Sequence, residues 1–330
     1  MKKGNVSVLG CGRWGSFHAW HAAHIGCGAL LWGRPGSQKL AELKNTRKNE
    51  YLTLPETVRL SDSLKEALAF AEVVIIAVGA QGFRALCREI AALPRPIWTQ
   101  KTFVLCMKGL EQDSGKRLSR VFREELGEEP AVAVWVGPGH VQDFLAGVPN
   151  CMLLASEDET LPPRLADAWE SPMIRFYYAS DLLGAEIGAA AKNVVGLAAG
   201  MLDGLELPSL KGALMARGAA ELSRLVGAMG GDPATVYGLS HLGDYEATLF
   251  SPHSNNRRFG ENFVRGLPSK KLAEGVSTAA ALLVLGAKYK VELPITQAVE
   301  SVIKKQANPR DALLQLFLRA RKSENKGNDD

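Results

Sequence analysis

Three groups of residues have types and spacings that could do chemistry. The first is Gly10-Cys11-Gly12-Arg13-Trp14-Gly15, which follows the apolar run Val6–Leu9 and leads into the helical stretch "SFHAWHAAHIG". A strand that turns on glycine into a helix offers free N–H groups and the positive end of a helix dipole to a phosphate. Gly10 suits the tight turn, Gly12 lets the backbone approach a pyrophosphate, and Gly15 lets helix and strand pack closely. In that setting the motif indicates dinucleotide binding. The second is Lys192, in the middle of the apolar stretch "EIGAAAKNVVGLAAGM". A helix apolar on nearly all sides is a buried helix, and an ammonium there is expensive unless something pairs with it. Lys192 therefore snorkels to the surface, pairs with a structural acid, or sits in an active site with a lowered pKa. Opposite a nicotinamide, such an ammonium could exchange a proton with an alcohol or ketone oxygen. Asn193 beside it faces another direction and could orient the site. The third group is Lys108, directly after the apolar run Phe103–Met107, together with "SPHSNNRRFG" at 251–260. Lys108 stands at a strand's carboxyl end, where such sheets bind ligands; otherwise it is a loop residue. The small polar residues with Arg257 and Arg258, ahead of a helical stretch, suit phosphate capture, or form an ordinary polar loop.

These residues need elements to hold them. The runs Val6–Leu9, Ala29–Trp32, Val73–Val78, Phe103–Met107, Val132–Val136 and Met152–Ala155 read as strands apolar throughout, separated by helical stretches. That alternation indicates a parallel sheet covered on both faces. Between two of the runs, "SDSLKEALAFA" has Ser63 three positions before Glu66, a capping-box pattern. After about Ser180 the rhythm becomes helical, with apolar spacings of three to four residues, and no further strand is expected. The expected fold is α/β: an N-terminal Rossmann-type doubly wound, mainly parallel sheet over residues 1–180, an all-helical substrate and catalytic domain over 181–322, and a flexible tail at 323–330.

After the run Ala29–Trp32 comes "GRPG" with Arg34, and no Asp or Glu precedes Glu42. An acid at this distance would grip the ribose hydroxyls of NAD, whereas an arginine can accept the extra phosphate of NADP. NADP(H) is the preferred cofactor and NAD(H) the alternative.

The chain has 330 residues, with 39 basic and 35 acidic side chains and a net charge of +4. Charge spread so evenly argues against nucleic-acid binding and leaves room for a small anion in one local basic site. The five cysteines (Cys11, Cys27, Cys87, Cys106, Cys151) form no C-x-x-C pair, so no metal site and no disulfide framework are expected. No signal peptide and no membrane-spanning helix are expected, which makes the cytoplasm the expected compartment. The helices of the second half are compatible with a homodimer and equally with one packed core.

Along almost its whole length the sequence resembles the NAD(P)-dependent glycerol-3-phosphate dehydrogenases of the soluble bacterial type. The pieces that carry the resemblance are, in order, "GCGRWG", "LWG", "KGLE", "VGPGH", "AAKNVVGLAAGMLDGL", "ARGAAELSRL", "LGD", "NRRFG", "AEG" and "ELPIT". The resemblance implies reversible reduction of dihydroxyacetone phosphate to sn-glycerol 3-phosphate, feeding glycerophospholipid synthesis. It implies Lys192 as the proton donor and acceptor, and Lys108 near both cofactor and substrate. It places Gly137, Asp244, Ser254 and Asn256 against the substrate, and Arg13, Trp14, Arg34, Val141 and Glu274 against the cofactor. Read alone, Asp244 could equally be a helix cap.

The sequence departs from the family pattern in one region. The family's arginine that touches both phosphates is Asn255 here, and an amide cannot supply a bidentate charged fork. Arg257 and Arg258 are the candidate replacements. The family's Ser or Thr after "GP" is Gly139, "NARTAL" is replaced by "SLKGAL" with Gly212, and "GLGDL" has become "HLGDY", with His241 and Tyr245. These changes keep open a dehydrogenase of the same architecture acting on another small oxo acid or phosphorylated ketone. A non-catalytic NADP-binding regulatory protein is the third reading.

Overall fold

The computed structural model of the protein describes residues 4–269 and 273–320. The expected tail at 323–330 lies outside the described residues. The apolar runs assemble into one eight-stranded sheet: β1 (Val6–Leu9), β2 (Ala29–Trp32), β3 (Arg59–Ser61), β4 (Val73–Ile76), β5 (Thr102–Leu105), β6 (Ala131–Val136), β7 (Asn150–Ala155) and β8 (Ile174–Ala179). The spatial order is β3-β2-β1-β4-β5-β6-β7-β8. Neighbours are parallel except β6 and β7, which run antiparallel. The chain winds outward from β1 to β3 and then crosses back to β4. The carboxyl ends of β1 and β4 thus lie where the winding reverses, the place where such sheets open a crevice.

Helices α1 (Arg13–His24), α2 (Gln38–Thr46), α3 (Leu64–Phe70), α4 (Phe83–Ala91), α5 (Leu118–Leu126), α6 (Val141–Leu145) and α7 (Leu161–Trp169) connect the strands. One face of the sheet packs on Phe17, Leu43, Phe144 and Trp169, the other on Phe83, Leu86 and Phe122. This is the doubly wound, mainly parallel sheet expected from the alternating pattern. Two strands had no apolar run to announce them. β3 has only three residues, one of them the exposed Arg59. β8 buries Ile174 and Phe176 while exposing Arg175, Tyr177 and Tyr178, because an edge strand is covered on one face only. The capping box of α3 is half formed. Ser63 Oγ accepts from the Glu66 N–H at 3.2 Å, but the Glu66 carboxylate accepts from Ser61 Oγ and Arg59 instead of reaching back.

Beyond β8 every named element is helical: α8 (Leu182–Gly204), α9 (Lys211–Ala228), α10 (Asn255–Val264), α11 (Glu274–Tyr289), α12 (Pro294–Ile303) and α13 (Pro309–Phe317), with short 3₁₀ and π turns between them. α8 is shared by two cores. Leu182, Ala185 and Ala189 lie on the sheet, whereas Ile187, Ala190, Ala191, Val194 and Leu197 face the other helices. α8 is long and apolar enough to cross a membrane, but 94% of its most apolar window is buried inside the protein. Its apolarity is explained by neighbours on all sides. α10 crosses it at contact distance, since a Cβ on Gly200 would fall 1.8 Å from the Arg257 carbonyl oxygen.

Candidate active site

The glycine turn closes on itself where β1 meets α1. Gly10 has φ +119°, and a Cβ there would lie 2.4 Å from the Ala77 carbonyl oxygen at the end of β4. A Cβ on Gly15 would lie 1.6 Å from the Gly10 carbonyl oxygen, so α1 rests directly on the turn. Gly12 is different: a Cβ there meets no protein atom within 4 Å. It is the N-cap of α1, no side chain caps that end, and no acid occupies the first turn. The helix thus presents its first N–H groups and its positive end across open space, which fits a pyrophosphate. Arg13 stacks over the Tyr51 ring, its guanidinium carbon 5.0 Å from the centroid. Arg34 is exposed in the loop after β2, and its guanidinium lies 3.5 Å from where a Cβ on Gly82 would stand. Val141 is buried at the first position of α6, after the turn of Gly137 and Gly139.

Lys192 stays inside: its side chain is 8% exposed, so it does not snorkel. Nζ donates to Asp244 Oδ2. Lys108 Nζ donates to the same oxygen at 2.8 Å and to the Gly137 carbonyl at 2.6 Å. Asp244 ends a 3₁₀ turn (Leu242–Asp244), and its carboxylate bridges the two lysines instead of capping a helix. Its second oxygen, Oδ1, is buried without a hydrogen-bond partner. Lys108 Nζ also lies 5.4 Å from the centroid of the Trp14 ring, which links the lysine pair to the glycine turn. Burial pushes the Lys192 amine down to about 7; the Asp244 carboxylate opposes this and the Lys108 ammonium adds to it. Burial raises the Glu274 carboxyl at the start of α11, against the pull of both ammoniums. His140 Nε2 donates to the Ala247 carbonyl at 2.8 Å, and burial lowers its pKa.

Asn193 orients this group. Its Nδ2 donates to the Lys108 carbonyl at 2.7 Å, and its Oδ1 accepts from Asn256 Nδ2 at 3.0 Å. Asn256 Oδ1 in turn accepts from the Gly275 N–H at 2.9 Å. The Asn256 side chain therefore ties α8 to the starts of α10 and α11. Ser254 is the N-cap of α10, accepting from the Arg257 N–H at 3.3 Å.

The two candidate replacements for the missing arginine separate clearly. Arg257 turns away, donating to Asp203 at 2.6 Å and to Glu261 at 3.1 Å. Arg258 Nη2 donates to Asn255 Oδ1 at 3.0 Å and is exposed. Gly139 has φ +117°, a conformation that strains any side chain. The loop at Gly139 is thus built for glycine. Gly212 lies exposed in the first turn of α9. Sequence reading did not assign roles to His140, Asn193's bond to the Lys108 carbonyl, or the buried pair His241–Tyr245. All three lie inside stretches already singled out, but the Ala247, Lys108 and Gly188 carbonyls they bond come from distant parts of the chain.

A dinucleotide turn at the crossover of a parallel sheet, joined through Lys108 to a buried lysine on a helix, defines a nicotinamide-nucleotide-dependent dehydrogenase. The family models described as NAD-dependent glycerol-3-phosphate dehydrogenase N-terminus and C-terminus match residues 5–161 and 181–314. The chain belongs to that family. It is 38% identical to the glycerol-3-phosphate dehydrogenase [NAD(P)+] of Deinococcus radiodurans, covering 97% of this chain and 96% of that protein. It is 37% identical to the enzyme of that name from Streptomyces coelicolor, covering 97% and 98%. Among solved structures, the glycerol-3-phosphate dehydrogenase of Coxiella burnetii superposes with a TM-score of 0.89 at 28% identity, covering 96% of this chain and 99% of that one. A ketopantoate reductase from Ralstonia eutropha, 13% identical with a TM-score of 0.61, shares the fold alone.

Proposed function

We propose that the protein reduces dihydroxyacetone phosphate to sn-glycerol 3-phosphate with NAD(P)H, reversibly, and that Lys192 is the proton donor. The observation that carries this reading is the buried Lys192, paired with Asp244 and joined through Lys108 to the glycine turn. The open first turn of α1 holds the dinucleotide's pyrophosphate through Gly10, Gly12, Arg13, Trp14 and Gly15, with Val141 and Glu274 near its other parts. The reduced nicotinamide supplies a hydride to the substrate's carbonyl carbon. Lys192 Nζ delivers a proton to the carbonyl oxygen as negative charge develops there, so the ketone gains one hydride and one proton. Lys108 adds positive potential beside the same oxygen. Asp244 keeps both ammoniums within reach without cancelling them, because its single negative charge offsets only one of the two positive ones. Asn255, Asn256, Ser254 and Arg258 at the start of α10, with Gly137 and Gly139, line the place for the substrate's phosphate. Arg34, with no acid nearby in sequence before Glu42, supports NADP(H) over NAD(H).

The experiment is direct. Loss of nicotinamide absorbance when protein, NADPH and dihydroxyacetone phosphate are mixed supports the reading. No loss with either NADPH or NADH overturns it. Lys192→Ala is expected to lower kcat by about 10³-fold while the NADPH Kd stays within about threefold; equal losses of both contradict the assigned role. The altered Asn255 and Gly139 favour one other reading, a different small oxo acid or phosphorylated ketone. A kinetic ranking that places another such compound above dihydroxyacetone phosphate decides for it.

A further inference from the structure

His241 and Tyr245 flank the Asp244 turn in sequence, and both are fully buried. His241 Nδ1 lies 2.9 Å from the Gly188 carbonyl oxygen, and Tyr245 Oη lies 2.5 Å from His241 Nε2. A carbonyl only accepts, so His241 carries its hydrogen on Nδ1, and Nε2 accepts from the Tyr245 hydroxyl. Burial fits this assignment: it lowers the His241 pKa to about 4, so the ring is neutral, and it raises that of Tyr245, so the phenol keeps its proton. Gly188 sits one helical turn before Lys192 on α8, and its carbonyl also accepts the Lys192 backbone N–H in the helix ladder. A Cβ on Gly188 would fall 3.1 Å from His241 Cβ, so glycine there lets the turn lie against α8. Asp244 N–H donates to the His241 carbonyl at 3.0 Å, which places the carboxylate and the imidazole on one short, rigid turn.

The geometry points to His241 and Tyr245 as positioning residues: the chain Tyr245 O–H to His241 to the Gly188 carbonyl fixes the Asp244 carboxylate against Lys192 and Lys108. This inference rests on Lys192 being the proton donor proposed above. Asp244 Oδ2 is held by the two lysines themselves and Oδ1 has no hydrogen-bond partner, so the turn that carries the carboxylate sets its position. The groups facing the Lys192 amine are Asp244 and Lys108, with Glu274 from α11, His140 after β6, and His241 itself. Asp244 is the one whose approach keeps the amine protonated near neutrality. If the pair loosens, Asp244 withdraws, and the Lys192 pKa falls further.

The test uses Tyr245→Phe, which removes one oxygen and keeps the ring, alongside His241→Asn and His241→Ala. Two readouts are taken. One is kcat for dihydroxyacetone phosphate reduction with the NADPH Kd. The other, free of turnover, is the pH midpoint of acetic anhydride labelling at Lys192, read by peptide mass spectrometry. Tyr245→Phe is expected to lower kcat about tenfold, leave the NADPH Kd within about twofold, and move the labelling midpoint down by about half a unit or more. His241→Asn, whose amide can still donate to the Gly188 carbonyl, is expected to fall between wild type and His241→Ala. Should His241→Ala fail to fold, Tyr245→Phe decides alone. A Tyr245→Phe protein with a lowered Tm but an unmoved labelling midpoint and kcat within twofold of wild type overturns the inference. Wild-type protein inert toward dihydroxyacetone phosphate, with the midpoint still shifted in Tyr245→Phe, overturns the proposed reaction and leaves the positioning role standing.

Discussion

As the proposed proton donor, Lys192 combines two demands that normally conflict. Its amine must be buried to act in a dry site, and burial favours the uncharged form. The Asp244 carboxylate offsets part of that cost, and the result is a pKa lowered to about 7. The sign of the pH dependence follows. Reduction needs the amine protonated when substrate arrives, and that fraction falls tenfold per unit above the pKa. Oxidation of sn-glycerol 3-phosphate needs the neutral amine. The kcat/KM for reduction is expected to fall above about pH 7, and that for oxidation to rise through the same region, in initial rates across a pH series. Parallel profiles in the two directions contradict the assignment. Asn255 carries a second prediction. It stands at the first position of α10, beside the exposed Arg258. Asn255→Arg restores a charged fork there, and KM for dihydroxyacetone phosphate is expected to fall by about fivefold to tenfold with kcat little changed. An unchanged or raised KM indicates that Arg258 already fills the role or that the phosphate sits elsewhere.

At the scale of elements, α8 is the part on which the site depends. It delivers Lys192 and Asn193, and Gly188 serves as an anchor point. Its own position is fixed by Glu186, whose carboxylate accepts from the Ser119 N–H at 2.8 Å, from Ser119 Oγ, and from Arg117 at 2.9 Å. A helix carboxylate thus caps the start of α5, on the sheet's side, where the helix dipole favours negative charge. Glu186→Ala leaves the Arg117 guanidinium and two donors without their acceptor. It is expected to cost roughly 3 kcal/mol, read as a lower urea midpoint. A change under about 0.5 kcal/mol would show that the contact does not hold α8. The strand runs Val6–Leu9 and Ala29–Trp32 were legible residue for residue, because strands buried on both faces are apolar throughout. β3 and β8 were not, since a short or one-sided edge strand leaves no such run. Glu66 shows the same limit at single-residue scale: the cap was legible, but the carboxylate's partner Arg59 comes from a strand that was not.

For the whole molecule, the dinucleotide turn and the helical half contribute to one binding-competent fold. A ligand that binds only the folded state stabilises all of it by mass action. NADPH at about 100 times its Kd is expected to add about 2.7 kcal/mol, a rise in Tm of roughly 4 °C for a chain of this length that unfolds cooperatively. Lys192→Ala is expected to show the same rise, since the proposed proton donor acts on the substrate and not on the cofactor. No rise with either nicotinamide cofactor would contradict the open first turn of α1 as their site.

The linear order of residues determined six of the eight strands, the glycine turn and the apolar helix around Lys192, because each depends on local composition: apolar runs, glycines at fixed offsets, and apolar residues all round a helix. It also determined which positions break the family's pattern. Only the tertiary structure decided which groups share a bond. Asp244 lies 52 residues from Lys192 and 136 from Lys108 in the chain, yet one carboxylate oxygen serves both. Arg257 and Arg258 are adjacent in sequence, yet one is committed to Asp203 and the other is left beside Asn255. The reason is that hydrogen bonds and ion pairs depend on separations of a few ångströms, and those are set by how α8, α10 and the loops after β5 and β6 converge, which no local pattern records.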